Sequence, residues 1–265
     1  MVAENASNQA SGTEADRLAE ESTDAFREAE ATPNPVVKAE KLEVAQDLAG
    51  DAALAAAYRY LQVAVGIIAI LLPFILVVGN YVFGSDKLLG SISAYYYTAM
   101  GSWFVGSLFA LAVFFLSYNY RPLPSFQLDN QLSRVACALA LGVAVLPTTR
   151  DTEVASGTET FVGGIHLACA GLLFAMLAVF SYFLFTKSGG AMTPRKRLRN
   201  RLYRTCGVVI AGTLVVVLIT MVVKPPTSWH SLLVLETVMI VAFAASWLVK
   251  GGFLGILADK VPTPG

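Results

Sequence analysis

Charge is what this sequence has least of. Of its 265 residues, 14% are Asp, Glu, Lys or Arg and 55% are hydrophobic, against about 25% charged in an ordinary soluble domain. That shortfall argues against a soluble enzyme with a water-filled cleft, and against a nucleic-acid-binding protein. Cysteine is scarce as well. Cys137, Cys169 and Cys206 all fall inside apolar runs, an odd number without metal-type spacing, so neither a disulfide framework nor a zinc site rests on them. They read as buried free thiols. There are two histidines, His166 and His230, and no H-E-x-x-H. Gly90-Ser91-Ile92-Ser93 does not match G-x-S-x-G. No metal and no cofactor is expected. The N-terminus has no basic segment leading into an apolar stretch, so no cleavable signal peptide is expected.

Long hydrophobic runs are present in place of motifs. Spans are expected at Tyr60–Val82, Thr98–Tyr118, Leu132–Pro147, Phe161–Phe185, Cys206–Val223 and Trp229–Val249. A hydrocarbon core about 30 Å thick takes about 20 apolar residues per helix, so the expected fold is an all-α, six-helix transmembrane bundle. The third span is the shortest. Pro73 is expected to kink the first, and Pro147-Thr148-Thr149 to end the third. Gly163 and Gly164, with Gly207 and Ala211, are expected to let helices approach closely. Lys224-Pro225-Pro226 reads as a stiff, short turn joining the last two spans.

The zero net charge hides two unlike segments. Residues 1–51 hold twelve acids and four bases, and the remainder seven acids and fifteen bases. Three regions follow: an acidic tail (1–57), disordered to helical; a transmembrane domain (58–252); and a short C-terminal tail (253–265). Thr13-Glu14-Ala15-Asp16 is a weak capping box, and Thr32-Pro33-Asn34-Pro35 breaks the helix that follows it. From Lys38 to Arg59, Leu42, Ala45, Leu48, Ala49 and Ala52 form a modest stripe suited to the membrane interface.

Sixteen Lys and Arg residues fall on the side shared by both termini, and Lys87, Arg150 and Lys224 on the other. The positive-inside rule therefore puts both termini in the cytoplasm. The run from Arg195 to Arg204 carries much of this bias. Thr193-Pro194 makes it the start of a helix whose bases meet anionic headgroups of the bilayer.

Glu236 is the one carboxylate well inside a span, and His166 lies in the same leaflet. An ionisable side chain at such depth is expensive and faces the bundle interior. Three readings compete. Glu236 and His166 pair across two helices and line a polar pocket, with Ser91, Ser93, Tyr96 and His230 as further candidates for binding. Alternatively the site hydrolyses a lipid-like substrate through Ser91 or Ser93, His166 and His230. In the third reading Glu236 and His166 hold helices together, and Tyr95–Tyr97 belong to an aromatic belt. Glu236 shares a helix face with Met239, Ile240, Phe243 and Trp247, a bulky stripe suited to packing. His230, beside Trp229, reads as interfacial.

The run Gly90-Ser91-Ile92-Ser93-Ala94-Tyr95-Tyr96-Tyr97-Thr98, followed by Phe104-Val105-Gly106, resembles a signature of an uncharacterised family of bacterial six-span membrane proteins. Pro147-Thr148, His166 and the closing Glu236…Trp247-Leu248-Val249-Lys250-Gly251 fit the same pattern. The resemblance covers residues 60–252 and implies a multi-pass protein of the inner membrane. It implies no activity. The chain departs from the pattern at Gly101-Ser102, where a charge is expected. A looser similarity is to multi-pass hydrolases of lipid amides, which use a Ser, an Asp and several histidines at one membrane face. Ser91, Ser93, Asp86, His166 and His230 would supply such a set one histidine short.

Overall fold

Two prolines separate the first two helices. Thr32 precedes Pro33 and is barred from the helical region, and α1 (Glu14–Ala31) ends there. Asn34 then caps α2, its Oδ1 accepting the Val36 N–H at 3.0 Å, with Pro35 at the first helical position. Helix α2 (Pro35–Phe83) runs for 49 residues, about 74 Å at 1.5 Å per residue. The interfacial helix and the first span expected from the sequence are therefore one helix, with Pro73 inside it.

The computed structural model describes residues 14–85, 87–117, 127–150, 156–187, 192–223 and 231–253. Among these the chain is all-α. After α2 come a 3-10 helix (Ser93–Tyr97), α3 (Gly101–Ser117), α4 (Gln127–Val145), α5 (Gly157–Val179) continued by a π-helical turn (Phe180–Leu184), α6 (Pro194–Val223) and α7 (Ser231–Lys250). Helices Pro35–Phe83, Gly157–Leu184, Pro194–Val223 and Ser231–Lys250 are long and apolar enough to cross a membrane. Gly101–Leu116 and Asn130–Val145 are shorter apolar helices. All six expected spans thus coincide with an apolar helix.

The helix ends have local causes. Ser156 caps α5 by accepting the Glu159 N–H at 3.2 Å. Thr193 caps α6, its Oγ1 accepting from the Lys196 N–H at 3.0 Å, as the Thr193-Pro194 pair predicted. Helix α4 stops at Val145 because Leu146 precedes Pro147. The weak capping box at Thr13 and the Lys224-Pro225-Pro226 turn lie outside the described residues.

The chain divides into two compact units: residues 1–63, 190–199 and 248–265, and residues 64–189 and 200–247. In the first, α1 is an ordered helix. It runs antiparallel to the start of α2, as the ion pairs Lys41–Glu28 (2.7 Å) and Arg59–Asp16 (3.4 Å) require. Ala15, Leu18, Ser22 and Ala29 of α1 are buried, as are Ala45 and Ala52 of α2. The stripe expected to lie on the membrane interface is thus a buried face, its small residues permitting close helix approach.

The second unit is built on aromatic rings. The Trp247 ring lies 4.6 Å from Phe114, 5.0 Å from Phe185 and 5.1 Å from Phe243. Met239, Phe243 and Trp247 are buried, so the stripe predicted on α7 is the packing face. Ser181 and Ser246 hydrogen-bond at 3.0 Å inside this core. A Cβ on Gly207 would stand 2.7 Å from Tyr182 Cβ and 3.1 Å from the Ala178 carbonyl oxygen, so α6 meets the end of α5 there as predicted. Gly163 likewise abuts Thr149, whereas Gly164 faces open space and has no such role.

Candidate binding cavity

A segment of non-helical chain between α2 and α3 forms one wall of the site, and its backbone is pinned at several points. Asn80, buried in the last turns of α2, donates through Nδ2 to the carbonyls of Ser85 and Lys87, each at 3.1 Å. The Leu233 N–H donates to the Gly90 carbonyl at 2.8 Å. Glu236 reaches from α7 to accept the Ile92 N–H on Oε2 at 2.6 Å, a charge-assisted length. Ser91 Oγ accepts the Ala94 N–H at 3.1 Å and opens the 3-10 helix. Gly101 follows because its Cα packs on the Tyr96 carbonyl, leaving no room for a side chain. The charge expected at this position is therefore sterically barred.

His166 is anchored differently. The last carbonyls of a helix lack partners within it. Just beyond the end of α4, the Leu146 carbonyl lies 2.7 Å from His166 Nδ1. A carbonyl only accepts, so Nδ1 carries the hydrogen and Nε2 of the neutral ring presents a lone pair. His166 is 2% exposed, and its Nε2 is buried without a partner.

The expected Glu236–His166 pair does not form; each side chain bonds main chain instead. Unsatisfied backbone groups at a loop and a helix end, set in apolar surroundings, hold a side chain more firmly than two ionisable groups hold one another. Both residues nevertheless line one cavity of about 90 Å³. Ile92 and Ser93 contribute from the loop, Phe104 and Leu108 from α3, and Phe243 from α7. The site is apolar apart from a carboxyl group, an imidazole nitrogen and hydroxyl groups.

The remaining candidates separate. Ser93 lines the cavity, and its Oγ lies 3.2 Å from Ser91 Oγ. Ser91 is not among the lining residues. Neither serine hydrogen-bonds His166. Tyr96 packs edge-on to Tyr97 and Phe104, at 5.2 and 6.4 Å, and does not reach the cavity; Tyr95 is the buried tyrosine of the three. Tyr97 donates to the Thr148 carbonyl at 2.7 Å, with the Arg150 guanidinium over its ring at 4.5 Å. These contacts tie loops together. His230 lies outside the described residues, as do Asp86, Asp151 and Glu153. Among the described residues no three His, Cys, Asp or Glu side chains converge to hold a metal ion. Sequence reasoning missed Asn80 and the Ser181–Ser246 bond, both ordinary-looking polar residues within apolar runs.

Comparison with family models, curated proteins and solved structures finds no match to this chain.

Proposed function

We propose that the chain is a six-span integral membrane protein whose helices enclose a small ligand-binding pocket in the outer leaflet, walled by Glu236 and His166. Membrane residence is supported by apolar side chains left exposed along several helices, among them Phe74, Val113, Leu218 and Val222. Such a belt is untenable in water. The count of Lys and Arg supports cytoplasmic termini, and exposed Arg197, Arg201 and Arg204 suit anionic headgroups. The resemblance of the Ser91–Thr98 region supports placement among bacterial inner-membrane proteins.

One observation carries the pocket: an unpartnered, fully buried His166 Nε2 shares a cavity wall with Glu236. A hydrolase would need Ser93 bonded to that nitrogen. Ser93 pairs with Ser91 instead, so binding is the reading favoured over turnover.

The test is 15N NMR of His166 in lipid nanodiscs, using a His230→Gln background so that one imidazole remains. Titrated 1-butanol should move the Nε2 resonance saturably. Glu236→Gln should weaken the response severalfold and leave the melting temperature within a few degrees. If butanol produces no saturable shift, the cavity is a packing void and the pocket reading fails.

A further inference from the structure

The cavity is too small for a whole lipid. At about 90 Å³ it falls below the ~150 Å³ of an apolar cavity that admits benzene. Its loop wall is also closed down. The segment carrying Ile92 and Ser93 is held by the Glu236, Leu233 and Asn80 bonds described above. Entry through that loop would break several hydrogen bonds at once.

A side route is open. A groove of about 390 Å³ runs between α2 and α3. Ile68, Leu72, Ser107 and Ala110 line both the groove and the cavity, so the two spaces share a wall. Gly106 lines the groove, and a Cβ there would meet nothing within 4 Å. Trp103 stands beside it, largely exposed. The volumes divide naturally: the small, polar-tipped cavity suits a head group, and the larger apolar groove suits a chain.

The head group's chemistry follows from His166 and Glu236. The neutral imidazole offers Nε2 as an acceptor. Glu236 uses Oε2 on Ile92 and has a second carboxyl oxygen. Two acceptors at the end of an apolar hole call for a hydrogen-bond donor. We infer that the ligand is a single-chain amphiphile with a hydroxyl or amine head, entering sideways from the bilayer, its head at His166 and Glu236 and its alkyl chain in the α2–α3 groove. This rests on the pocket reading and adds the ligand's class and path.

The test uses the full chain with His230→Gln in nanodiscs, reading the His166 Nε2 resonance with 1-butanol, 1-dodecanol, dodecylamine and methyl dodecyl ether. Dodecanol or dodecylamine should shift it saturably. The ether, which has no donor, should bind about tenfold more weakly or worse, the loss of one hydrogen bond to a buried acceptor. Which of alcohol and amine binds tighter assigns the head. Gly106→Leu fills the groove in open space. It should leave the butanol response and the melting temperature intact while weakening dodecanol at least tenfold. A dodecanol with a photoreactive chain end should label residues 67–75 and 102–110, and Gly106→Leu should abolish that labelling. If Gly106→Leu leaves dodecanol binding unchanged, or labelling falls elsewhere while butanol still binds, the side route is overturned and the pocket stands. If the ether binds as well as the alcohol, the donor head is overturned. If neither butanol nor dodecanol shifts His166, the pocket reading itself falls.

Discussion

The two units hold helices together in contrasting ways. In the hairpin of α1 and the start of α2, the buried side chains are mostly alanines, flanked by exposed ion pairs. In the second unit the buried side chains are Trp247, Phe114, Phe115, Phe180, Phe185 and Phe243, with rings in mutual contact. Alanine seams bring backbones close but place little apolar surface in contact. Exposed ion pairs add little more and are screened by salt. Aromatic cores are large, specific in geometry and intolerant of loss. Unequal local stability follows: the hairpin opens at low cost, and the aromatic core opens only with its whole unit.

The sharpest way to break this contrast is Trp247→Ala. Removing a fully buried indole should cost about 3–5 kcal/mol and lower the unfolding midpoint in detergent by the largest amount of any single substitution. An unchanged midpoint, read by near-ultraviolet circular dichroism, would show that the rings are not what holds the second unit. A matched pair on α6 gives an intermediate effect. Gly207→Ala pushes a methyl onto the backbone of residues 178 and 182 and should destabilise by about 1–3 kcal/mol. Gly212→Ala, in open space, should be neutral or stabilise by up to about 1 kcal/mol. Equal midpoints for the two would refute close packing at Gly207.

The smallest effect belongs to the hairpin. Lys41, by hydrogen bond and charge, holds the Glu28 carboxyl below its ordinary value. A carboxyl lowered in the folded state contributes stability that is fully present above its ordinary pKa and fades as pH falls through the lowered one. Amide exchange in α1, corrected for intrinsic rates, should therefore quicken slightly on acidification below the ordinary carboxylate range. Glu28→Gln should remove that pH dependence while leaving exchange in the second unit unchanged.

Much of the fold is legible in the sequence because hydrophobic length, prolines and caps act locally. Thr193-Pro194, Asn34-Pro35 and Leu146-Pro147 each mark a boundary by chemistry confined to a few residues. The α7 packing stripe is equally local, a matter of spacing along one helix. What was not legible depends on partners distant in the chain. Glu236 was recognisable as a polar residue requiring a mate, but that mate is the Ile92 amide, 144 positions away. Backbone amides carry no sequence signature. The same holds for the Leu146 carbonyl opposite His166. The buried face of α2 was read correctly as a stripe and assigned the wrong cover, since periodicity identifies a face and not what lies against it.

The π-helical turn at Phe180–Leu184 carries a lesson in register. The Phe185 N–H reaches back five residues to the Phe180 carbonyl at 3.0 Å, one residue more than an α-helical turn spans. In effect the helix has absorbed an insertion as a local bulge. Deleting one residue here would restore the tighter winding and rotate all that follows by about 100°. Phe185 would leave its place 5.7 Å from Tyr203 and 5.0 Å from Trp247. This stretch therefore tolerates exchange of its side chains more readily than a change in its length.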